Sequence, residues 1–429
     1  MVTAFVKIWN ELVGAVLWDE DTQRATFEFD PKFAQNQWDL SPLMMPLSEI
    51  KRGNRLFSFP RLNPDTFYGM PGLLADTLPD KFGTTLINTW LAAQGRTPSS
   101  LNPVERLCYM GKRGMGALEF EPSSGHKGIS TNIEIDSLVE IAQKILNQRE
   151  SFVSSIHEGS RDGLEDIIRV GTSAGGARAK AIIAYNIETN EVRSGQVAAP
   201  KGFSHWLIKF DGVSDGNLAN PIGFGRIEWA YSLMARDCEI EMSECKLFEE
   251  NGRAHFMTKR FDRIKGKEKL HFQSLCGLAH FDFSQTNVYA YEQAFQVMRQ
   301  LRLPYNDAEQ LYRRMVFNVI ARNLDDHTKN IAFLMNKAGE WQLAPAFDLT
   351  WSYDPNSFWV SKHNLSINGK RENITKDDLL KVGKEMSIKK AKLIIEQINE
   401  VIINWELYAE KAGVSTFNIQ KIKETHLIF

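Results

Sequence analysis

Cysteine is scarce. Cys108, Cys238, Cys245 and Cys276 are the only four in 429 residues, and they show neither CxxC spacing nor a dense framework. This excludes a disulfide scaffold and fits buried free thiols in a reducing compartment. The opening residues carry only Lys7 as a charge and have no apolar leader with a small-residue cleavage site, and nowhere do about eighteen apolar residues run uninterrupted. The chain is expected to be soluble and cytoplasmic, with no membrane partner. Net charge is nearly absent as well. A formal −2, with 24% charged and 43% hydrophobic residues, leaves no global basic field to draw the protein nonspecifically onto nucleic acid or a lipid surface. The Walker spacing GxxxxGK[ST] and the GxGxxG fingerprint are both missing, as are internal repeats and low-complexity tracts.

The chain does have enough length for a large core and two or three domains or lobes. Short β-favouring runs at Ala4 to Trp9, Leu12 to Trp18 and Arg24 to Phe29 predict antiparallel strands, with a first turn at Asn10-Glu11. Pro79 opens a helical pattern through Phe82, Leu86, Ile87, Trp90 and Leu91 that stops at Gly95, with proline at entry and glycine at exit. Ser123 to Gly128 reads as a linker, and a helix follows from Asp136 to Gln148. Next come a Gly-rich turn at Val170 to Gly176, strands at Ala181 to Tyr185 and Trp206 to Phe210, and a helix from Arg226 to about Asp237. That helix and a strand at Ala254 to Lys259 complete a β lobe carrying Lys209. From Asp307 the pattern is helical, with Leu311, Met315 and Val319 on one face beside Val316 and Ile320. Later helices span roughly Lys389 to Glu410.

The chemistry concentrates at Asn323-Leu-Asp-Asp-His-Thr-Lys-Asn330 and at Phe347-Asp348-Leu349, which a compact hairpin (Ile331 to Met335, then Trp341 to Leu343) brings after it. Phosphoryl transfer needs positioning, a metal to neutralise polyphosphate, and a carboxylate beside the attacking hydroxyl. Asp325 suits the base. Five residues on, Asn330 can offer an amide oxygen to Mg²⁺, with Asp348 as the harder carboxylate ligand, and His327 orders the loop or contacts a phosphate. Taken alone, Asp325-Asp326 is a solvated acidic turn; joined to the hairpin and Asp348, it reads as a metal site on ATP. Lys209 lies in an apolar strand, where an ammonium is costly to bury unless it meets a carboxylate or phosphate. Gly171 to Lys180 has small residues that let backbone N–H groups approach phosphate, followed by Arg178 and Lys180.

Together these segments resemble the HipA family of bacterial serine/threonine kinase toxins over nearly the whole chain. The resemblance rests on Ser173-Ala-Gly-Gly-Ala-Arg-Ala-Lys180, Trp206-Leu-Ile-Lys209-Phe210, Lys259-Arg-Phe-Asp-Arg263, Asn323 to Asn330, and Leu343-Ala-Pro-Ala-Phe-Asp348. Leu78-Pro-Asp-Lys-Phe-Gly83 is similar to part of the family's extra N-terminal domain. The resemblance implies an α+β, two-lobed protein-kinase-like fold with an N-terminal β-rich domain (residues 1–125), a nucleotide-binding lobe (126–262) and a mostly helical C-lobe (263–429). It implies Asp325 as catalytic base, Asn330 and Asp348 as Mg²⁺ ligands, and Lys209 on the ATP phosphates. Gly175, Gly176, Ala177, Arg178, Ala179, Lys180, His327, Lys329 and Phe347 join the nucleotide site, and Lys259 to Phe261 is the adenine-side connection. Family members often have Glu where Lys259 stands, but the contact expected there is through the backbone. Ser173 stands where the family carries a self-phosphorylated serine. The implied partners are a protein substrate, notably an aminoacyl-tRNA synthetase, and a helix-turn-helix antitoxin of HipB type through which operator DNA is bound. Lys389, Lys390 and Lys392 read as a solvated helix face. Two rivals stay open on the residues alone: a small-molecule or lipid kinase, since D-x-H-x-x-N loops occur there too, and a non-catalytic corepressor scaffold.

Overall fold

The computed structural model describes residues 2–79, 81–124, 134–147, 167, 171, 178–195, 199–213, 223–264 and 268–429. Ser173, Gly175, Gly176, Ala177 and the linker from Gly125 onward lie outside them. The chain divides into two compact units. The first takes Met1–Trp38, Met45–Gly225 and Cys245–Phe272, and the second Asp39–Met44, Arg226–Glu244 and Gln273–Phe429.

The first unit holds two antiparallel five-stranded sheets. One orders its strands Leu56–Phe57, Arg24–Phe29, Glu11–Asp19, Val2–Ile8 and Leu118–Glu121. Val2–Ile8 buries Ala4, Val6 and Ile8 and turns Thr3 and Phe5 outward, the two-residue period of a half-buried strand. The first turn lies one residue before its expected place. Ile8 pairs with Glu11 across Trp9 and Asn10, both left-handed (φ 49° and 73°), as a two-residue hairpin loop requires. The Trp9 ring stands edge-on to Trp38 at 4.7 Å and donates to the Lys269 carbonyl at 2.7 Å, which holds it at the corner.

The second sheet orders Val192–Ser194, Lys180–Tyr185, Ser204–Lys209, Arg253–Lys259 and Cys245–Glu250. Its inner face shares one core with helix Lys81–Ala93: Phe82, Leu86, Ile87 and Leu91, with Tyr109 of helix Pro103–Met110, pack in the same cluster as Ala181, Ile183 and Trp206. This cluster takes residues from both sides of position 125. Helix Ile135–Asn147 joins it through Leu138, Val139 and Ala142.

The second unit is mainly helical. The apolar face expected from Asp307 onward is buried in helix Tyr305–Ile320, and so is every other residue from Gln310 to Ile320, Arg313 and Arg314 included. Helices Tyr291–Gln300 and Ala391–Ile403 and the hairpin strand Trp341–Leu343 all pack on it. Helix Phe224–Asp237, read from sequence as completing the β lobe, belongs from Arg226 onward to this unit. Its Tyr231 ring meets Phe317 and Trp405 edge-on at 6.0 and 5.4 Å, and the Tyr231 hydroxyl donates to the Ala321 carbonyl at 2.7 Å. All four cysteines are free and buried, as expected. Among the described residues no helix is long and apolar enough to cross a membrane.

Candidate active site

Helix Tyr305–Ile320 delivers the chain to a loop fastened at its start. The Asn323 side chain donates to Asn318 Oδ1 at 2.9 Å, Leu324 N donates to the Ser352 carbonyl at 3.0 Å, and Ser352 N returns a bond to Arg322 at 3.1 Å. Past this clamp the side chains alternate, so two neighbouring carboxylates meet opposite surroundings. Asp325 keeps 45% of its side chain exposed, with His327 Nε2 3.7 Å from its Oδ1. Asp326 keeps 1%. Its carboxylate accepts from the Tyr291 hydroxyl (3.0 Å), the Asn364 backbone N–H (2.7 Å) and His363 Nδ1 (2.8 Å).

That buried carboxylate heads a network which sequence reading missed. Asn318 Nδ2 donates to the Tyr291 oxygen at 2.9 Å, and Asn364 Nδ2 donates to the Leu324 carbonyl at 2.7 Å. Burial beside Asp326 pushes the Tyr291 phenol well above its ordinary pKa, so it stays a hydroxyl donor. The only sequence signal was the second aspartate of the pair. His363 and Asn364 follow it by 37 and 38 positions and carry no motif.

Asn330 closes the loop. Its Nδ2 donates to the Asp325 carbonyl at 2.8 Å and its backbone N–H to His327 O at 2.9 Å. A carbonyl has no proton to give, so the amide atom facing it must be nitrogen, and Oδ1 is turned the other way. The hairpin Ala332–Met335 and Trp341–Leu343, paired Phe333 to Leu343, then returns the chain. Ala344 N donates to Ala332 O (2.9 Å), Ala346 N to Glu241 O (2.7 Å), and Met242 bridges Ala346. Between this anchor and Ser352, Asp348 takes a left-handed backbone with φ 53°. Such a conformation costs an L-residue about 1–2 kcal/mol, least for Asn and Asp. Asn330, Phe347 and Asp348 line one small cavity, floored by Asp326, Tyr291 and Arg314. Burial lowers the Arg314 guanidinium to about 10, and its Nε and Nη1 have no hydrogen-bond partner. Lys329 lies over the Phe283 ring at 4.5 Å, and His327 Nδ1 is buried without a hydrogen-bond partner.

The nucleotide residues expected in the first unit fall on its second sheet. Lys180 and Lys209 stand directly opposite each other in adjacent antiparallel strands, hence on one face. Lys180 is buried and Lys209 half-buried. The Lys209 ammonium lies 5.7 Å from the centroid of the Phe256 ring. Ala179, just before the strand, is buried and accepts from Phe210 N at 3.0 Å. Arg178 stacks on the Phe224 ring at 4.2 Å. Lys259 is exposed at a strand end, and Arg260 N is tied to His205 O at 2.9 Å. Phe261 is half-buried, its ring 6.1 Å from that of Phe272. Arg260 and Arg263 grip Asp262 at 2.7 and 2.6 Å and hold its carboxyl far below the usual range.

Comparison with protein families places both parts of the chain. The HipA N-terminal domain matches residues 4–121, and the HipA-like C-terminal domain matches residues 172–405, more than half the chain by itself. The chain belongs to the HipA family. It has that family's serine/threonine kinase fold, is a phosphotransferase, and uses ATP as that family does. No curated protein sequence matches it. Among solved structures it is similar to a chain of the Shewanella oneidensis MR-1 toxin–antitoxin complex of HipA, HipB and operator DNA. The identity is 16% and the TM-score 0.66, over 98% of this chain and 95% of that one. The Helicobacter pylori proinflammatory kinase CtkA matches 59% of this chain and 90% of its own, at 15% identity and TM-score 0.34.

Proposed function

We propose that this HipA-family chain transfers the γ-phosphoryl group of ATP to a serine or threonine hydroxyl of a protein, with Asp325 as the base. The observation that carries the reading is the orientation of Asn330. Its amide nitrogen is committed to the Asp325 carbonyl, and its residue lines one cavity with Asp348. Among the described residues no three His, Cys, Asp or Glu side chains gather as a metal site. One carboxamide oxygen and one carboxylate nonetheless suit Mg²⁺, which takes few protein ligands and completes its shell from water and phosphate. Bound there, Mg²⁺ would neutralise charge on the polyphosphate. In the step itself the bond between the γ-phosphorus and the bridging oxygen breaks, the acceptor oxygen bonds to phosphorus, and the acceptor proton passes to Asp325. Exposure of Asp325 lets a hydroxyl reach it, and Asp326 below keeps the loop from turning. Lys180 and Lys209 supply positive charge for the phosphates, with Gly175, Gly176, Ala177, Arg178 and Ala179 assigned to the same site. His327, Lys329 and Phe347 border the transferred group, and Lys259 to Phe261 receives the adenine. The division at residues 125 and 262 belongs to the same reading.

The chain acts in this reading as the toxin of a toxin–antitoxin pair. It is held by a helix-turn-helix antitoxin of HipB type and reaches operator DNA only through it; an aminoacyl-tRNA synthetase is the protein substrate. Support comes from membership in the HipA family and from the complex in which the Shewanella protein was solved. Self-phosphorylation of Ser173 would add about −1.5 to −2 charges to the Gly171 to Lys180 segment assigned to ATP, and silence the enzyme by repulsion. Ser173→Asp is expected to weaken ATP binding; unchanged affinity and turnover would refute the repulsion.

Incubation of the purified protein with γ-labelled ATP and a cell lysate tests the main reading. Label in a discrete protein band is the expected result. Label confined to small metabolites would make this a small-molecule kinase. Absence of thermal stabilisation by Mg·ATP, where about 2.7 kcal/mol is due at a hundredfold excess over Kd, would leave only a scaffold.

A further inference from the structure

Phe358 and Trp359 form an exposed aromatic pair, 73% and 47% accessible, with their rings edge-on at 5.1 Å. Large aromatics stay in water at a cost, and a rigid exposed pair marks a contact surface more often than a scattered single residue does. This pair is held in place. Ser357 Oγ accepts from the backbone N–H of Trp359 (3.2 Å) and of Val360 (3.3 Å), and Asp354 N donates to Val360 O at 3.2 Å. A second tie runs into the catalytic loop. The Asn364 amide donates to the Trp359 carbonyl at 3.1 Å and to the Leu324 carbonyl at 2.7 Å, while its backbone N–H donates to Asp326 at 2.7 Å. One buried asparagine thus couples the backbone bearing the exposed rings to the peptide link that leads into Asp325.

We infer that Phe358 and Trp359 dock the polypeptide segment carrying the acceptor hydroxyl, by taking an apolar side chain of that segment near the serine or threonine. The inference rests on the proposed phosphotransfer at Asp325. The occupant follows from position: the group that must be registered against Asp325 in each turnover is the acceptor, and Asn364 gives the aromatic pair a fixed registration to that residue. The neighbouring Lys362 is paired with Glu372 at 2.6 Å.

A positional library of serine- and threonine-containing peptides, assayed with γ-labelled ATP, tests this. The wild type is expected to prefer an apolar residue at a fixed distance from the hydroxyl. The variant F358A/W359A should lose that preference and raise the peptide KM by at least about tenfold, the scale of an aromatic contact residue, with kcat falling much less. The conservative F358L/W359F should recover most of it. Both rings are exposed, so the melting temperature should hold and the Mg·ATP thermal shift should persist; if the double variant does not fold, F358S alone gives the KM comparison. An unaltered peptide KM and preference would overturn the assignment. Wild-type label on the protein itself but on no library peptide would overturn it too, leaving phosphotransfer standing. Label nowhere would remove the proposed function and this inference together.

Discussion

Asp325 and Asp326 are neighbours of the same residue type, and their surroundings assign them different work. Half-exposed Asp325 can meet a substrate, whereas Asp326 is spent on Tyr291, His363 and Asn364. Replacing Asp326 by Ala should leave those donors unpaired and cost on the order of 3 kcal/mol of stability, measurable as a lowered urea midpoint. Asp348→Asn separates backbone from charge. Asparagine tolerates the left-handed φ of 53°, so melting should hold while the Mg²⁺-dependent part of ATP stabilisation is lost. A variant that kept that part would deny Asp348 its place on the cation. The five-residue step from Asp325 to Asn330 was legible in sequence because a short loop needs both its ends. Asp326's partners were not, because they arrive from a later segment through tertiary packing.

At the scale of elements, periodicity found the hairpin that carries Asp348 and most of the sheet strands, since a two-residue alternation survives wherever one face is buried. It placed Leu311, Met315, Val316, Val319 and Ile320 of helix Tyr305–Ile320 correctly in the core, but it gave no sign that the arginines between them are buried too: Arg313 reaches the Cys238 carbonyl at 3.1 Å and Arg314 the Ala344 carbonyl at 2.7 Å. It also assigned helix Phe224–Asp237 to the wrong neighbours, because a buried stripe does not name what it packs against. Helix Lys376–Glu385 offers a test where propensity and packing disagree. Alanine for glycine inside a helix ordinarily stabilises by about 1 kcal/mol. At Gly383, however, a Cβ would come 2.5 Å from Ala391 Cβ and 3.0 Å from the Tyr312 hydroxyl. Gly383→Ala is therefore expected to destabilise by about 1–3 kcal/mol, read from chemical denaturation; a stabilised variant would show that this contact is loose.

For the whole molecule, the folding equilibrium should depend on pH through histidines of both units, His255 buried and His280 and His426 half-buried. Burial holds His255, His280 and His426 each at about 4, against about 6.5 for a free imidazole. Below the free value the unfolded chain takes up protons that the folded one refuses. Stability contributed by these groups is therefore full above about pH 6.5 and falls progressively toward pH 4. His280 has a left-handed backbone (φ 56°) that asparagine tolerates, so His280→Asn should reduce the loss between about pH 7 and pH 5 by on the order of 1–2 kcal/mol; an unchanged slope would place the effect elsewhere. The kinase reading itself turns on whether Asp325 takes the acceptor proton. The direct measurement is the rate of γ-phosphoryl transfer to protein by the wild type and by Asp325→Asn, at matched melting temperature and matched Mg·ATP binding. The expected result is a fall of about 10²–10⁴-fold in the variant, the usual worth of a positioned base; transfer at the wild-type rate would contradict the account.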